Sequence, residues 1–533
     1  MAGTGAGATE MPCWDVSLVT DMEDLFKNKA QFNADISRWN TAAVTNMAGM
    51  FAGAAEFNQD ISSWNTAAVT SMTSMFRGAA KFDRDIDTSG DKWNTAEVTT
   101  MESMFEGAAK FNGEVLLWNT AKVATMKNMF KGAAAFNRAC GTTGNQWKTS
   151  AVTDMEGMFF GASAFNQNVG TWDTAEVTTM LATFDAAAAF NNAEDASIKD
   201  WNTAKVTTMK NMFNGAAKFN QAIPTDGNKW KTDKVENMVR MFKGAKAFNQ
   251  PLKTWETKAV TDMHEMFLNA ETFNQELTPG TSPSKVWDTS EVTDMNAMFQ
   301  GAKAFNNGGT NTIQNWDFTA MTKTTNMFNG AEAFNQPIPY ATPKWKTTAV
   351  TDMEGMFQGA KVFNQELKTW DTKAVKNMKN MFKGAVAFNK ELAGTSPAWD
   401  LSAVETMEGM FEGATKFNND DKDTMKTWIT SAVTNMASMF KGAADFNLDL
   451  TQAGGKWDTG EVTTMQNMFN GAAKFDKDLT SWKTKLGKVT NNVGMWTGAT
   501  AMTSTFKPCT NPATSVGQVT WPECPAPPSL SPL

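Results

Sequence analysis

Trp39-Asn40-Thr41-Ala42-Ala43-Val44-Thr45-Asn46-Met47-Ala48-Gly49-Met50-Phe51-Ala52-Gly53-Ala54-Ala55-Glu56-Phe57-Asn58 is the stretch on which the reading of this chain turns. It returns from Trp14 to Trp482, with successive Trp residues 25, 29 or, once, 32 positions apart, giving seventeen full units and a degenerate eighteenth. Self-similarity at a fixed period overrides the roughly three or four domains that the length alone suggests. The expectation is a single repeat solenoid over residues 14–506. A disordered segment, 1–13, precedes it, and a Pro-rich cap or tail, 507–533, follows.

The insertions share one address. From Trp to the second Phe the spacing is 18 in every full unit, and extra residues fall between that Phe and the next Trp, as in Asp87-Thr88-Ser89-Gly90-Asp91-Lys92. A coil that lengthens at one corner only has a loop there and a packed body elsewhere. Within the body, Val44, Met47, Met50, Phe51 and Ala54 follow the three/four spacing of one helix face. Thr45 sits where an N-cap belongs, and Thr20/Glu23, Thr99/Glu102, Thr153/Glu156 and Thr351/Glu354 match the capping-box spacing. The position two after the first Phe is Gly in fourteen of seventeen units, with Asn28, Asn269 and Ala186 as the exceptions. That is the preference of a left-handed helix stop, so a short helix ends there, and Ala186 is strained. A short strand is expected near Ile61, before Trp64. Asn or Asp after the second Phe is expected to form a ladder along the axis.

Composition follows from the repeat: 37 Phe, 37 Met and 20 Trp stand against one His and one Tyr. Net charge is −8 with both signs mixed, which gives no basic footprint for nucleic acid. No apolar run has the roughly 18 or more residues of a membrane span, so no membrane insertion is expected. Met1-Ala2-Gly3-Thr4-Gly5-Ala6 lacks the charged start and apolar core of a secretory signal.

Catalytic and metal constellations are scarce. His264 is the only histidine, at a variable position, so triads and mixed Cys/His zinc sites are unavailable. Asp83-Arg84-Asp85-Ile86-Asp87 and Asn418-Asn419-Asp420-Asp421-Lys422-Asp423 offer oxygen ligands without the EF-hand pattern. The reading is a non-enzyme with no cofactor. Cys509 and Cys524 lie together in the tail as a candidate disulfide, whereas Cys13 and Cys140 lie five repeats apart and read as lone thiols. Thr at Trp+2 (Thr41, Thr66, Thr95, Thr120, Thr174), beside the Thr45 row, raises an ice-binding alternative.

The run Trp-Asp/Asn-Thr-x-x-Val-Thr-x-Met-x-x-Met-Phe-x-Gly-Ala-x-x-Phe-Asn-Gln-x-Ile/Leu resembles the 25-residue repeat of BspA-like surface proteins, also found in mycoplasma lipoproteins. The resemblance covers about residues 14–506. It implies a right-handed, leucine-rich-repeat-like solenoid (α+β), with a short helix and a short strand per coil. It also implies a cell-surface or secreted recognition and adhesion protein that meets a protein or glycan through an extended face. A structural subunit that forms fibres by coil stacking is the alternative.

Overall fold

The structure is a computed structural model that describes residues 11–86, 93–141, 147–224, 229–277, 287–338, 345–368, 370–392, 399–451 and 457–502. It divides into two compact units, one of Met1–Gln275 with Pro279–Trp287, the other of Glu276–Thr278 with Asp288–Leu533. In each, the repeat is a coil and the coils stack. In the first unit one residue per coil forms a parallel bridge to the next, from Asp21↔Asn46 through Asn237↔Asp262; in the second the bridges run from Asp294↔Lys323 through Thr464↔Asn491.

The expected helix is absent among the described residues, whose only helical pieces are 3-10 turns. Between Thr45 and Phe57 the backbone closes successive i→i+3 turns instead: Met50 N–H to Met47 O, Ala52 to Gly49, Ala54 to Phe51 and Phe57 to Ala54. The intervening N–H groups leave the coil. Met47, Gly49, Phe51 and Gly53 donate to Ser71, Thr73, Met75 and Arg77 of the next coil, at 3.1, 2.8, 2.8 and 2.6 Å. A helix would spend those donors internally. Stacking claims them because Gly49 and Gly53 both have positive φ, +61° and +73°, which no right-handed helix admits. The three/four spacing of Met47, Met50, Phe51 and Ala54 still points these side chains inward, since all four are fully buried. The periodicity was a true core signal and a false helix signal.

The strand lies elsewhere than expected. Pairing is made at Asn46 and not near Ile61, and as isolated bridges rather than continuous strands. The caps are also redirected. Thr45 Oγ1 donates to Thr20 O of the previous coil (3.1 Å), and the capping-box glutamates reach sideways. Glu23 accepts from Asn46 Nδ2 and Glu354 from Asn377 Nδ2, each at 3.0 Å.

The core is a set of aromatic columns. Phe51 lies 3.9 Å from Phe57 in its own coil and 5.5 Å from Phe76 in the next, while Trp39 and Trp64 stack at 6.4 Å. Each Trp indole needs one acceptor when buried. Trp64 Nε1 donates to Ile36 O and Trp201 Nε1 to Val169 O, so in these coils the apolar residue before the preceding Trp supplies an axial carbonyl, whereas Trp147, Trp230, Trp287 and Trp428 Nε1 are buried with no partner among the described residues. The Asn ladder is present: Asn58 N–H donates to Asn33 Oδ1, Asp83 N–H to Asn58 Oδ1, and so on to Asn274 N–H in the first unit. A second rail runs beside it, where Gln59 Nε2 donates to Asn33 O and Gln365 Nε2 to Asn335 O.

Three coils carry a device that the sequence reading missed. Asn192-Ala193-Glu194, Asn307-Gly308-Gly309 and Asn419-Asp420-Asp421 are runs of three consecutive left-handed residues. Their first Asn is fully buried in each case. Asn192 Oδ1 accepts from Val169 N–H (2.8 Å) and its Nδ2 donates to Asp195 O (2.6 Å); Asn419 does the same with Leu392 N–H and Lys422 O. The signal was available as Phe-Asn-Asn in place of Phe-Asn-Gln. At the start of the chain, Met11–Cys13 form a 3-10 turn within the segment expected to be disordered.

Candidate recognition surface

The exposed residues of a coil are those that its axial bonds and aromatic columns leave free. Thr45, one residue before the bridge, is exposed, and its row is Thr in eight of the ten coils of the first unit. Its hydroxyls are already committed along the axis, as in Thr70 Oγ1 to Thr45 O (3.2 Å) and Thr178 Oγ1 to Thr153 O (3.1 Å). Three residues on, the row through Ala48, half-buried in most coils and buried at Val239, runs Glu23, Ala48, Thr73, Glu102, Lys127, Glu156, Leu181, Lys210, Val239 and His264, seven residue types in ten coils. The row through Ala43, on the other side of the Thr row, varies among Ala, Leu, Glu and Lys. The bridge face therefore has a fixed polar rail with a variable row on each side.

Charges on these rows pair between coils. Lys122 meets Glu97 and Lys205 meets Glu176 at 2.6 Å, and Lys127 meets Glu156 at 2.9 Å. Exposed pairs of this kind stabilise by only about 0–1 kcal/mol, so their replacement costs the fold little. A denser cluster sits on the neighbouring edge of the first unit. Glu265 accepts from Arg240 Nε (2.9 Å), Arg240 NH2 (3.1 Å) and Lys243 Nζ (2.6 Å). The Arg240 bonds hold its carboxyl at about 2, against the opposing effect of burial. Three coils before Glu265, burial pushes Asp185 up to about 6, partly offset by the 2.8 Å bond from Asn214 Nδ2.

The residues singled out from sequence separate clearly. Thr41, Thr66, Thr95, Thr120 and Thr174 are buried, at most 1 % exposed, and donate to the next coil, as Thr41 Oγ1 does to Asn65 O (2.9 Å). A buried row cannot meet an ice lattice, so the ice-binding reading loses that half of its surface. His264 is half-buried and its Nδ1 lies 2.8 Å from Asp262 Oδ1. Asp83 Oδ1 and Asp85 Oδ1 accept from the next coil's backbone at Asn112 and Glu114, and Asp421 Oδ1 accepts from Asn418 Nδ2. These acidic residues serve the coil. Cys13 and Cys140 are free thiols, and complete burial pushes the Cys140 thiol up. Cys509 and Cys524 lie outside the described residues. Among the described residues no helix is long and apolar enough to cross a membrane.

The residues absent from the sequence reading are those of the Gly49 row, left-handed in every coil yet filled by Gly, Asn, Ser, Ala, Asp, Arg or Glu. Five Gly and five Asn among eighteen were the available signal. The Gly residues are placed by their neighbours. Gly49, Gly157, Gly355, Gly409 and Gly494 each follow a coil with Asp or Asn in the row, whose Oδ1 occupies the space a Cβ would need.

A family model described as Mycoplasma protein of unknown function, DUF285, matches the chain in seven overlapping segments: 4–89, 87–197, 141–222, 192–307, 278–395, 340–425 and 421–510. No curated protein matches. Among solved structures, a leucine-rich repeat protein from Bacteroides ovatus is 11% identical, covering 70% of this chain and 80% of its own, with a TM-score of 0.25. One from Eubacterium ventriosum is 11% identical over 79% and 89%, TM-score 0.32. A leucine-rich cell surface protein from Faecalibacterium prausnitzii is 12% identical over 50% and 82%, TM-score 0.23. No enzymatic family is indicated.

Proposed function

The chain belongs to the repeat family described as Mycoplasma protein of unknown function, DUF285, and from that premise we propose that it is a non-enzymatic recognition scaffold, cell-surface or secreted, whose bridge face meets a protein or glycan. One observation carries the reading. The same coil repeats with a nearly constant core and a rail that is Thr in eight of ten coils of one unit, while the row through Ala48 takes seven residue types in those ten coils. Core and rail are constrained by packing and axial hydrogen bonds, whereas the variable rows are free to be chosen by a partner. Repeat arrays diversify a binding surface in this way.

The test compares two surface variants of the intact protein on glycan and extracellular-protein arrays. Replacing Lys205, Lys210 and Lys234 by Glu changes the bridge face; replacing Lys81, Lys110 and Lys218 by Glu changes the edge near the second Phe. The proposal expects the first set to abolish binding to a retained probe and the second to leave it intact. Equal loss in both, or in neither, contradicts it. The Cys509–Cys524 disulfide remains part of the proposal: the denatured, unreduced protein then presents two thiols of its four cysteines, and four would refute it.

A further inference from the structure

We propose that the N-terminal end coil of the first unit docks, head to tail, onto the last coil of the second unit of another copy of this chain. Among the described residues the first coil is an open edge. In later pairs within each unit, carbonyls of one coil accept from the coil before it, as where Asn46, Ala48, Met50 and Ala52 O take Met22, Asp24, Phe26 and Asn28 N–H. The equivalent carbonyls of Asp21, Glu23, Leu25 and Lys27 have no donor among the described residues. The last coil is the complementary edge. Met465, Asn467, Phe469 and Gly471 N–H donate onto it, at Asn491, Val493, Met495 and Thr497 O. Its own next donors, Asn492, Gly494, Trp496 and Gly498 N–H, have no acceptor among the described residues. Four donors in one parallel register thus match four acceptors in the same register, a row of backbone groups without partners among the described residues, of the kind that templates strand addition.

Side chains favour the same occupant. The N-terminal edge exposes apolar surface: Trp14 is 48 %, Leu18 92 % and Leu25 46 % exposed. A cavity of about 600 Å³ lies there, lined by Cys13, Trp14, Val16, Met22, Leu25 and Trp39. The two end coils are oppositely charged: residues 14–38 carry five acids and three bases, whereas 482–502 carry Lys483, Lys485 and Lys488 and no acid. Continuing the rows, Lys485, which meets Asp458 at 3.1 Å, would next face Asp15. Val493, 69 % exposed, would face Glu23 in the row where Lys127 meets Glu156 at 2.9 Å. A contact between different faces is heterologous, so it propagates into fibres or closes into rings rather than stopping at a two-fold dimer.

The experiment is sedimentation velocity of the full chain over a concentration series, with four exposed-site variants. Mass is expected to rise with concentration in multiples of 58.2 kDa. Val493→Glu and Leu18→Lys, which set like charges against Glu23 and Lys488, are expected to weaken association tenfold or more, in the sense of ~1.4 kcal/mol per decade. Val493→Lys, which pairs with Glu23, is expected to strengthen it, and Glu23→Lys is expected to rescue Val493→Glu. Opposite effects of Lys and Glu at one exposed site cannot arise from misfolding. A monomer at every concentration overturns the proposal, and Trp14 shielded from a soluble quencher in that monomer would assign the edge to a segment of the same chain. Association indifferent to all four variants overturns it as well.

Discussion

Two rows of left-handed residues run through the stack, and they are filled by different rules. In the row of Gly53, Gly residues adopt φ of 67° to 76°, and its Asn28, Ala186 and Asn269 are drawn back to 61°, 56° and 58°. In the row of Gly49, non-Gly residues lie at 52° to 58° and most Gly stay with them, at 58° to 62°. The narrow left-handed well open to L-residues is centred near the second set of values and not the first. Space does not select Gly in the first row, where a Cβ on Gly78 would meet Gly53 Cα at 3.6 Å, an ordinary contact; it does so in the second, where Asp or Asn Oδ1 of the coil before fills the Cβ position. The lesson is that a backbone held at about 70° selects Gly by conformation, while one held near 57° accepts Asn, Ser and even Arg240 at a tolerable cost.

The sharpest way to break the comparison is Gly132→Val, in the first row at 71°. A β-branched residue there should lower stability by about 2 kcal/mol, read from the urea midpoint. Ser103→Val in the second row should cost less, and equal losses would erase the distinction. Next in size is a pH effect at the coil that breaks the first row, where Asp185 precedes Ala186. The folded carboxyl sits at about 6 against an ordinary 3.8, so the native state holds its proton more tightly. Stability should fall as pH rises between about 4 and 6, by about 1–2 kcal/mol, and Asp185→Asn should remove that slope. Glu265 acts in the opposite direction: held at about 2 against 4.5, it stabilises fully above pH 4.5 and loses this as pH falls toward 2. Denaturant melts of the two single variants against pH separate the slopes. Ala186→Gly should then stabilise by about 1 kcal/mol, by relieving a left-handed Cβ. Smallest, Ser103→Asn should change stability by only a few tenths of a kcal/mol, since both residues suit that well. A melting shift as large as that of Gly132→Val would contradict the account.

Much of this was legible in the sequence. Trp39, Met47, Phe51 and Phe57 were assigned inward and are buried, and Asn58 was assigned to an axial ladder that it forms. Gly53 was correctly given a positive φ but placed at the end of a helix. The reason is that Met47, Met50, Phe51 and Ala54 satisfy helical spacing in either geometry. Only the destination of the Met47, Gly49, Phe51 and Gly53 N–H groups separates helix from stacked turns, and donor destination is a property of the neighbouring coil. For the same reason Thr45 read as a cap although its hydroxyl serves Thr20 O. The variable rows beside Thr45 were visible as variation, but their common face followed only from the bridge at Asn46.

The central claim is that each unit's coils are built from axial bonds and left-handed turns in place of helices. The infrared amide I band of the intact protein tests it most directly. The account predicts turn and extended absorption with no helical component. A helical component from roughly a third of the backbone, as a two-turn helix in each coil would give, would contradict it.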